Sequence, residues 1–122
     1  TETYDKKRTP AFAVQCRPRL VVNGEVNIRK DDGKRAERTA LCLRKDGTVL
    51  EVLLAKNDVG GPSLLATAAY AKRVGCEDAL NLDGGPSTGA AWREGGSVQL
   101  FRPRGPIRHA IVVREKAITP RP

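Results

Sequence analysis

The sequence predicts an α+β domain, in which one principal helix packs on a mainly antiparallel sheet. Three observations lead to this prediction. Apolar residues occur in short, strand-length runs, turn dipeptides such as Asn-Gly and Asp-Gly separate several of these runs, and one segment alone has apolar residues at helical spacing. The predicted order is four strands, the helix and three more strands. A single helix argues against a doubly wound α/β fold, which needs a crossover helix between its parallel strands.

Length and composition support one globular domain without a membrane span. The chain has 122 residues, 39% of them apolar and 30% charged, and its net charge is +8. No stretch approaches the roughly 20 apolar residues that cross a bilayer. The first ten residues lack the apolar region of a signal peptide. Because the chain starts with Thr1 and contains no Met, we expect a processed product or a piece of a longer protein.

The first predicted hairpin follows a polar start. Residues 1–10 are predicted to be an N-terminal arm, and residues 11–15 form a short apolar run. Residues 20–22 are a predicted strand, the Asn-Gly pair at 23–24 is a strong two-residue turn signal, and residues 25–26 begin the return strand.

A charged loop separates the first hairpin from the second. Residues 29–38 carry five basic and three acidic residues without apolar periodicity, which is typical of a mobile surface loop. Residues 39–43 are predicted to form a strand, residues 45–47 a turn, and residues 48–55 the returning strand.

The predicted helix spans residues 63–74. Pro62 or Ser63 marks its start, and Gly75 is typical of the position just past a helix end. One face carries the apolar residues Leu64, Leu65, Ala68 and Ala71.

The remaining strands are short. We predict strands at 78–82, 98–101 and 107–113, with His109 inside the last, extended structure at 90–92, and a frayed tail at 114–122. The domain is therefore expected to span residues 11–113.

Two polar side chains end the predicted strand at 78–82. Asn81 and Asp83 alternate with Leu82, so both are expected to point to one face of the sheet. Asp83 could act as a general acid or base, bind a hydroxyl group or bind a metal ion.

The residues that follow add groups suited to an anion. Gly84 and Gly85 allow a sharp turn, and their N–H groups are expected to be free to face an anion. Ser87 and Thr88 add hydroxyl groups. Residues 81–89 therefore predict a site for a sugar or a phosphate, although an ordinary Asp-Gly turn with a Ser/Thr cap remains the alternative.

Several motifs together resemble one enzyme family. The string GCEDALNLDGGPSTGAAW resembles the signature of the phosphodiester glycosidase family. Four further segments resemble the same family, and they occur in matching order over residues 11–113. These segments are AFAVQCRPRLVVNGEV, Arg-Thr-Ala followed by KDGTVLEVLLA, GPSLLATAAYAKRVGC and RHAIVV. We take the likeness to be to the C-terminal two-thirds of family members.

The resemblance implies hydrolysis of a sugar phosphodiester, with release of the sugar and a phosphomonoester. It implies Asp83 as the general acid or base, and Asn81 as the residue that orients Asp83 or a sugar hydroxyl. Arg38 is the expected phosphate contact, with Arg17 and Arg108 in support. The alternative for each arginine, above all for Arg17 and Arg108, is a solvated surface charge.

Further contacts are implied for hydroxyl groups and the one histidine. Thr39, Ser87 and Thr88 would bind phosphate or sugar oxygens. His109 is interpreted either as a structural residue or as a base in the site. The resemblance implies no cofactor, and a divalent cation at Asp83 is the alternative that the sequence leaves open.

Departures from the family pattern favour altered specificity or lost activity. Arg17 and Cys42 stand where family members usually have Gly, and Pro86 replaces a third Gly in the loop. Family members usually have an additional N-terminal portion, so we expect a complementary N-terminal chain or segment. No second carboxylate is close to a motif, although glycosidases commonly use two. A non-catalytic glycan-binding or partner-binding subunit, or half of a split enzyme, is the alternative function.

Other functions have weaker support. Residues 102–121 hold six basic residues and one acidic residue, which would suit nucleic acid, but aromatic residues are only 4% of the chain. Thr1 as an N-terminal nucleophile rests only on its position. The family resemblance implies a secreted or periplasmic protein, and the chain itself shows no targeting segment.

The three cysteines do not form a metal-binding pattern. Cys16, Cys42 and Cys76 are widely separated, and only one His accompanies them. They are interpreted as small buried residues or as one disulfide with one free thiol. The cationic neighbour Arg17 leaves a reactive Cys16 as a further alternative.

Overall fold

The computed structural model of this chain describes residues 9–10, 13–47, 50–55 and 60–117. Its regular elements are β1 (Arg19–Val22), β2 (Glu25–Val26), β3 (Arg38–Arg44), β4 (Leu50–Ala55), α1 (Leu64–Arg73), β5 (Cys76–Asn81), β6 (Ala90–Glu94) and β7 (Ser97–Phe101). Every described strand pair is antiparallel. The predicted α+β class, with one principal helix, is confirmed.

Five strands form the main sheet in the order β2-β1-β5-β3-β4, and β6 pairs with β7 in a separate hairpin. The turn between β1 and β2 has positive φ angles at Asn23 (49°) and Gly24 (75°), as its Asn-Gly sequence predicts. The hairpin of β3 and β4 is also confirmed, with register pairs from Arg38↔Ala55 to Leu43↔Leu50.

Helix α1 covers one face of the sheet. The Ser63 side chain caps it by accepting the Ala66 N–H at 3.2 Å, and Gly75, at φ 96°, follows its end. Its buried residues Thr67, Ala68 and Ala71 face the sheet. The core consists of residues from α1, β1, β3 and β5, each no more than 4% exposed: Leu20, Val21, Ala40, Cys42, Ala68, Ala71, Cys76 and Ala79.

One disulfide crosses this core. Cys42 in β3 is bonded to Cys76 at the start of β5, and Cys16 is free and half-buried. Of the interpretations of the cysteines, the structure therefore supports one disulfide with one free thiol.

The prediction of a strand at residues 107–113 is wrong. These residues have no regular structure and are exposed, and Val113 reaches 84%. Apolar and β-branched residues favour a strand only where a neighbouring strand can take their hydrogen bonds, and none of the described strands pairs with this segment. His109 therefore does not lie within a strand.

Some predictions fall outside the described residues. These are the structures predicted for Thr1 and most of the arm, residues 11–12, residues 48–49, residues 56–59 and the end of the tail. No helix among the residues that the structure describes is long and apolar enough to cross a membrane.

Candidate active site

Three separate segments line an open cavity of about 430 Å³ at one end of β5. One wall comes from the chain before β1, a second from the start of β3, and the third from the end of β5 with the loop after it. The lining residues are Cys16, Arg17, Ala36, Arg38, Asn81, Leu82, Asp83, Gly84 and Gly85. Six of the eleven predicted site residues are thus brought together.

Backbone hydrogen bonds hold the third wall against the second. Asn81 pairs with Ala40 across β5 and β3. Beyond the strand end, the Leu82 N–H donates to the Thr39 carbonyl at 2.8 Å, and the Gly85 N–H donates to the Glu37 carbonyl at 2.7 Å. The loop therefore continues along β3 instead of leaving the sheet.

Gly84 is required by this close approach. A Cβ atom at this position would lie 2.6 Å from the Glu37 carbonyl oxygen. The backbone of Gly84 is extended, with φ −136°, so the need for glycine here is one of space. A side chain at Gly84 would separate the two walls.

The prediction that the Gly84 and Gly85 N–H groups are free to face an anion is wrong. The Gly84 N–H donates to the Asp83 carboxylate at 3.0 Å, and the Gly85 N–H is bonded to Glu37. Both amides therefore already have a hydrogen-bond acceptor within the chain. Neither is free to bind an anion in the cavity.

Asn81 connects the first wall to the third. Its side chain is 9% exposed, and its Nδ2 donates to the Arg17 carbonyl at 3.1 Å. Its backbone N–H donates to the Pro18 carbonyl at 3.1 Å. Its Oδ1 is buried and has no hydrogen-bond partner. The amide bonds to the segment carrying Arg17 and not to Asp83, which corrects the expectation that it orients Asp83.

One acidic residue and two basic residues line the cavity. Asp83 is exposed and lies in the lining. Arg38 is anchored by carbonyl oxygens: its Nη2 donates to Lys34 at 2.9 Å and its Nε to Pro62 at 3.3 Å. Within the described part of the chain, no carboxylate forms an ion pair with Arg17 or Arg38. Their positive charge is therefore available to an anionic ligand.

Five predicted site residues do not line the cavity. Thr39 and Thr88 bond each other, with 3.3 Å between their Oγ1 atoms, and Thr88 is fully buried. Ser87 lies in a short 3-10 turn at Gly85–Ser87. Arg108 and His109 are exposed in the segment without regular structure. The threonine pair supports the loop from the far side of β3, since Thr39 and Arg38 alternate along the strand.

Sequence reasoning did not assign four residues that lie at or beside the site. Ala36 and Leu82 line the cavity. Glu37 follows Ala36 in sequence, and its carboxylate accepts from Arg104 Nε at 3.3 Å. Cys16, which the sequence left open as a reactive thiol, also lines the cavity. The adjacency of Glu37 to a predicted site residue was a usable signal, whereas Arg104 is distant in sequence.

The described residues include no group of three or more His, Cys, Asp or Glu side chains that could hold a metal ion. Asp83 is the one carboxylate among the lining residues.

Comparisons with known proteins agree with the motif resemblance. A family model described as phosphodiester glycosidase matches residues 1–114. The match includes the first ten residues, so the likeness is not restricted to residues 11–113. No curated protein matches the chain.

One solved structure is similar over most of this chain. It is a hypothetical protein from Synechocystis, with a TM-score of 0.52 and 30% sequence identity. The similar region covers 70% of this chain and 17% of that chain, so the likeness is to a small part of a longer protein.

Proposed function

Because this chain belongs to the phosphodiester glycosidase family, we propose that its cavity binds a sugar phosphodiester and hydrolyses the sugar–phosphate bond. The products are the free sugar and a phosphomonoester. The observation that carries the proposal is the convergence of Arg17, Arg38 and Asp83 from three segments on one cavity.

The two arginines are proposed to hold the phosphate. A phosphodiester carries one negative charge, and guanidinium groups bind its oxygens through charge-assisted hydrogen bonds. Cleavage of the bond between the anomeric carbon and the phosphate oxygen gives the departing phosphate a second negative charge. Arg17 and Arg38 would therefore interact more strongly with the transition state than with the substrate, which is the condition for catalysis.

Asp83 is proposed as the general base. It would accept a proton from the water whose oxygen attacks the anomeric carbon. The bond from that carbon to the phosphate oxygen breaks, and its electron pair leaves with the phosphate. A phosphate leaving group is far less basic than a sugar alkoxide, so it needs less help from a second, acidic carboxyl group. This chemistry is compatible with the single carboxylate in the lining.

Asn81 is proposed to position Arg17 and not to transfer a proton. Its two hydrogen bonds to the segment at residues 17–18 hold Arg17 at the cavity.

The disulfide of Cys42 and Cys76 supports a secreted or periplasmic location, because such bonds persist in oxidising compartments.

The test is the hydrolysis of the methyl diester of glucose 1-phosphate, followed as released glucose. Asp83→Asn is expected to lower kcat by at least about 100-fold, with the fold retained because the side chain is exposed. Asp32→Asn is the matched control, since Asp32 is also exposed and also accepts a nearby backbone N–H, from Lys34 at 3.0 Å. Equal turnover in the two variants would contradict the role of Asp83.

Binding without hydrolysis is the second candidate function. It is favoured by the single carboxylate among the lining residues and by the match to only 17% of the Synechocystis chain. A complementary N-terminal chain or segment would then supply the second carboxylate. Saturable binding of the diester by calorimetry, with no glucose released, would support this candidate over hydrolysis.

A further inference from the structure

Residues 102–105 form a strap that crosses the loop behind the cavity. The Pro86 carbonyl accepts two N–H groups from the strap, from Arg104 at 2.9 Å and from Gly105 at 3.0 Å. The strap also lies close to the chain at Gly89, because a Cβ atom on Gly89 would lie 2.7 Å from Pro103 Cδ. The strap is thus attached to the segment that continues from the third wall.

The same strap is joined to the second wall by an ion pair. Arg104 Nε lies 3.3 Å from Glu37 Oε2, and the Glu37 side chain is only 6% exposed, compared with 60% for Arg104. Among the ion pairs of the described residues, this is the one with a buried member. Glu37 stands between Ala36 and Arg38, which both line the cavity.

From these contacts we infer that Arg104 is a positioning residue for the cavity. Its backbone holds the loop at Pro86, and its guanidinium holds Glu37 at the start of β3. Arg104 therefore adds a further link, beside the backbone hydrogen bonds already described, between the wall that carries Arg38 and the wall that carries Asp83. Arg104 acts through these contacts and is not itself in the lining.

The two members of the ion pair respond differently to substitution. Arg104 is largely exposed, so water can hydrate it when Glu37 is replaced. Glu37 is buried, so loss of Arg104 leaves a carboxylate without a partner in the interior, which is strongly destabilising. Glu37→Met is therefore expected to retain the fold while it breaks the link, and Arg104→Gln is expected to lose both the link and stability.

The experiment uses the free thiol of Cys16 as a reporter of the cavity. Cys16 lines the cavity and is half-buried, and the other two cysteines are bonded to each other. Alkylation by iodoacetamide, followed by intact mass well below the unfolding temperature, is expected to be roughly fivefold faster in Glu37→Met and Arg104→Gln than in the unmodified sequence. Lys72→Gln is the control, because it breaks an exposed ion pair with Glu25 elsewhere.

A kinetic measurement distinguishes a displacement of the site residues from a loss of protein stability. This measurement rests on the proposed hydrolysis. Glu37→Met is expected to lower kcat about tenfold or more with KM changed little, because misplaced groups slow the chemical step. If the unmodified chain releases no glucose, the proposed function fails, while the alkylation rates still decide the role of Arg104. Alkylation of Glu37→Met at the rate of the Lys72→Gln control would overturn the inference.

Discussion

Gly84 is the residue at which one added methyl group should disturb the site most. Its backbone is extended, so alanine meets no φ penalty, but the new Cβ would lie 2.6 Å from the Glu37 carbonyl oxygen. We expect Gly84→Ala to lower the free energy of unfolding by about 1–3 kcal/mol, measured by urea denaturation. Gly33→Ala is the control for added volume, because nothing lies within 4 Å of a Cβ there, although its φ of 68° adds a strain of its own. No loss of stability in Gly84→Ala would show that the walls are not in contact.

Arg38 should matter for binding the phosphate more than for the fold. Arg38 is one of the lining residues, and it has no ion-pair partner among the described residues. Arg38→Gln removes one charge-assisted interaction, and we expect KM for the diester to rise about 10–100-fold. Arg29→Gln, in the exposed loop before β3, is the control for loss of one positive charge. A KM for Arg38→Gln equal to that control would remove Arg38 from the site.

Individual site residues were predictable where one motif contains them. Asn81 and Asp83 were found because a strand followed by paired glycines is a local pattern. The direction of the Gly85 amide was not predictable, since it depends on the carbonyl of Glu37, which lies just before β3. Arg104 was missed for the same reason, because its partner is 67 positions away in sequence.

At the scale of elements, turn chemistry made both hairpins of the main sheet predictable. The Asn-Gly turn and the Asp-Gly turn each specify a local reversal, so no long-range information is needed. Residues 107–113 contain equally strand-like residues but have no partner strand among the described elements. Sequence composition identifies a segment that could pair, whereas the pairing depends on the rest of the fold.

The disulfide between β3 and β5 should be a main source of stability. It links positions 34 apart, and closing a loop of this length is worth about 3–4 kcal/mol. Reduction with dithiothreitol is expected to lower Tm by roughly 10–15 °C, measured by circular dichroism. The measurement uses Cys16→Ser, so that the bonded pair contains the only cysteines. An unchanged Tm would mean that the sheet does not depend on this link.

At the scale of the whole molecule, one sheet face is covered by α1 and the cavity lies at the end of that sheet. The net charge of +8 should attract an anionic substrate from a distance, and salt should weaken that attraction. The basic composition is compatible with an anionic ligand but does not identify one. The choice of a sugar phosphodiester depends on the family match over residues 1–114 and on the groups that line the cavity.

The most direct test of this account is to identify which bond breaks. Hydrolysis of the glucose 1-phosphate methyl diester in water labelled with ¹⁸O places the label on the group that the water oxygen attacks, and mass spectrometry of the two products locates it. Attack at the anomeric carbon predicts ¹⁸O in the glucose and none in the methyl phosphate. Label in the phosphate product would instead identify attack at phosphorus, and either that result or the absence of both products would contradict the proposed reaction.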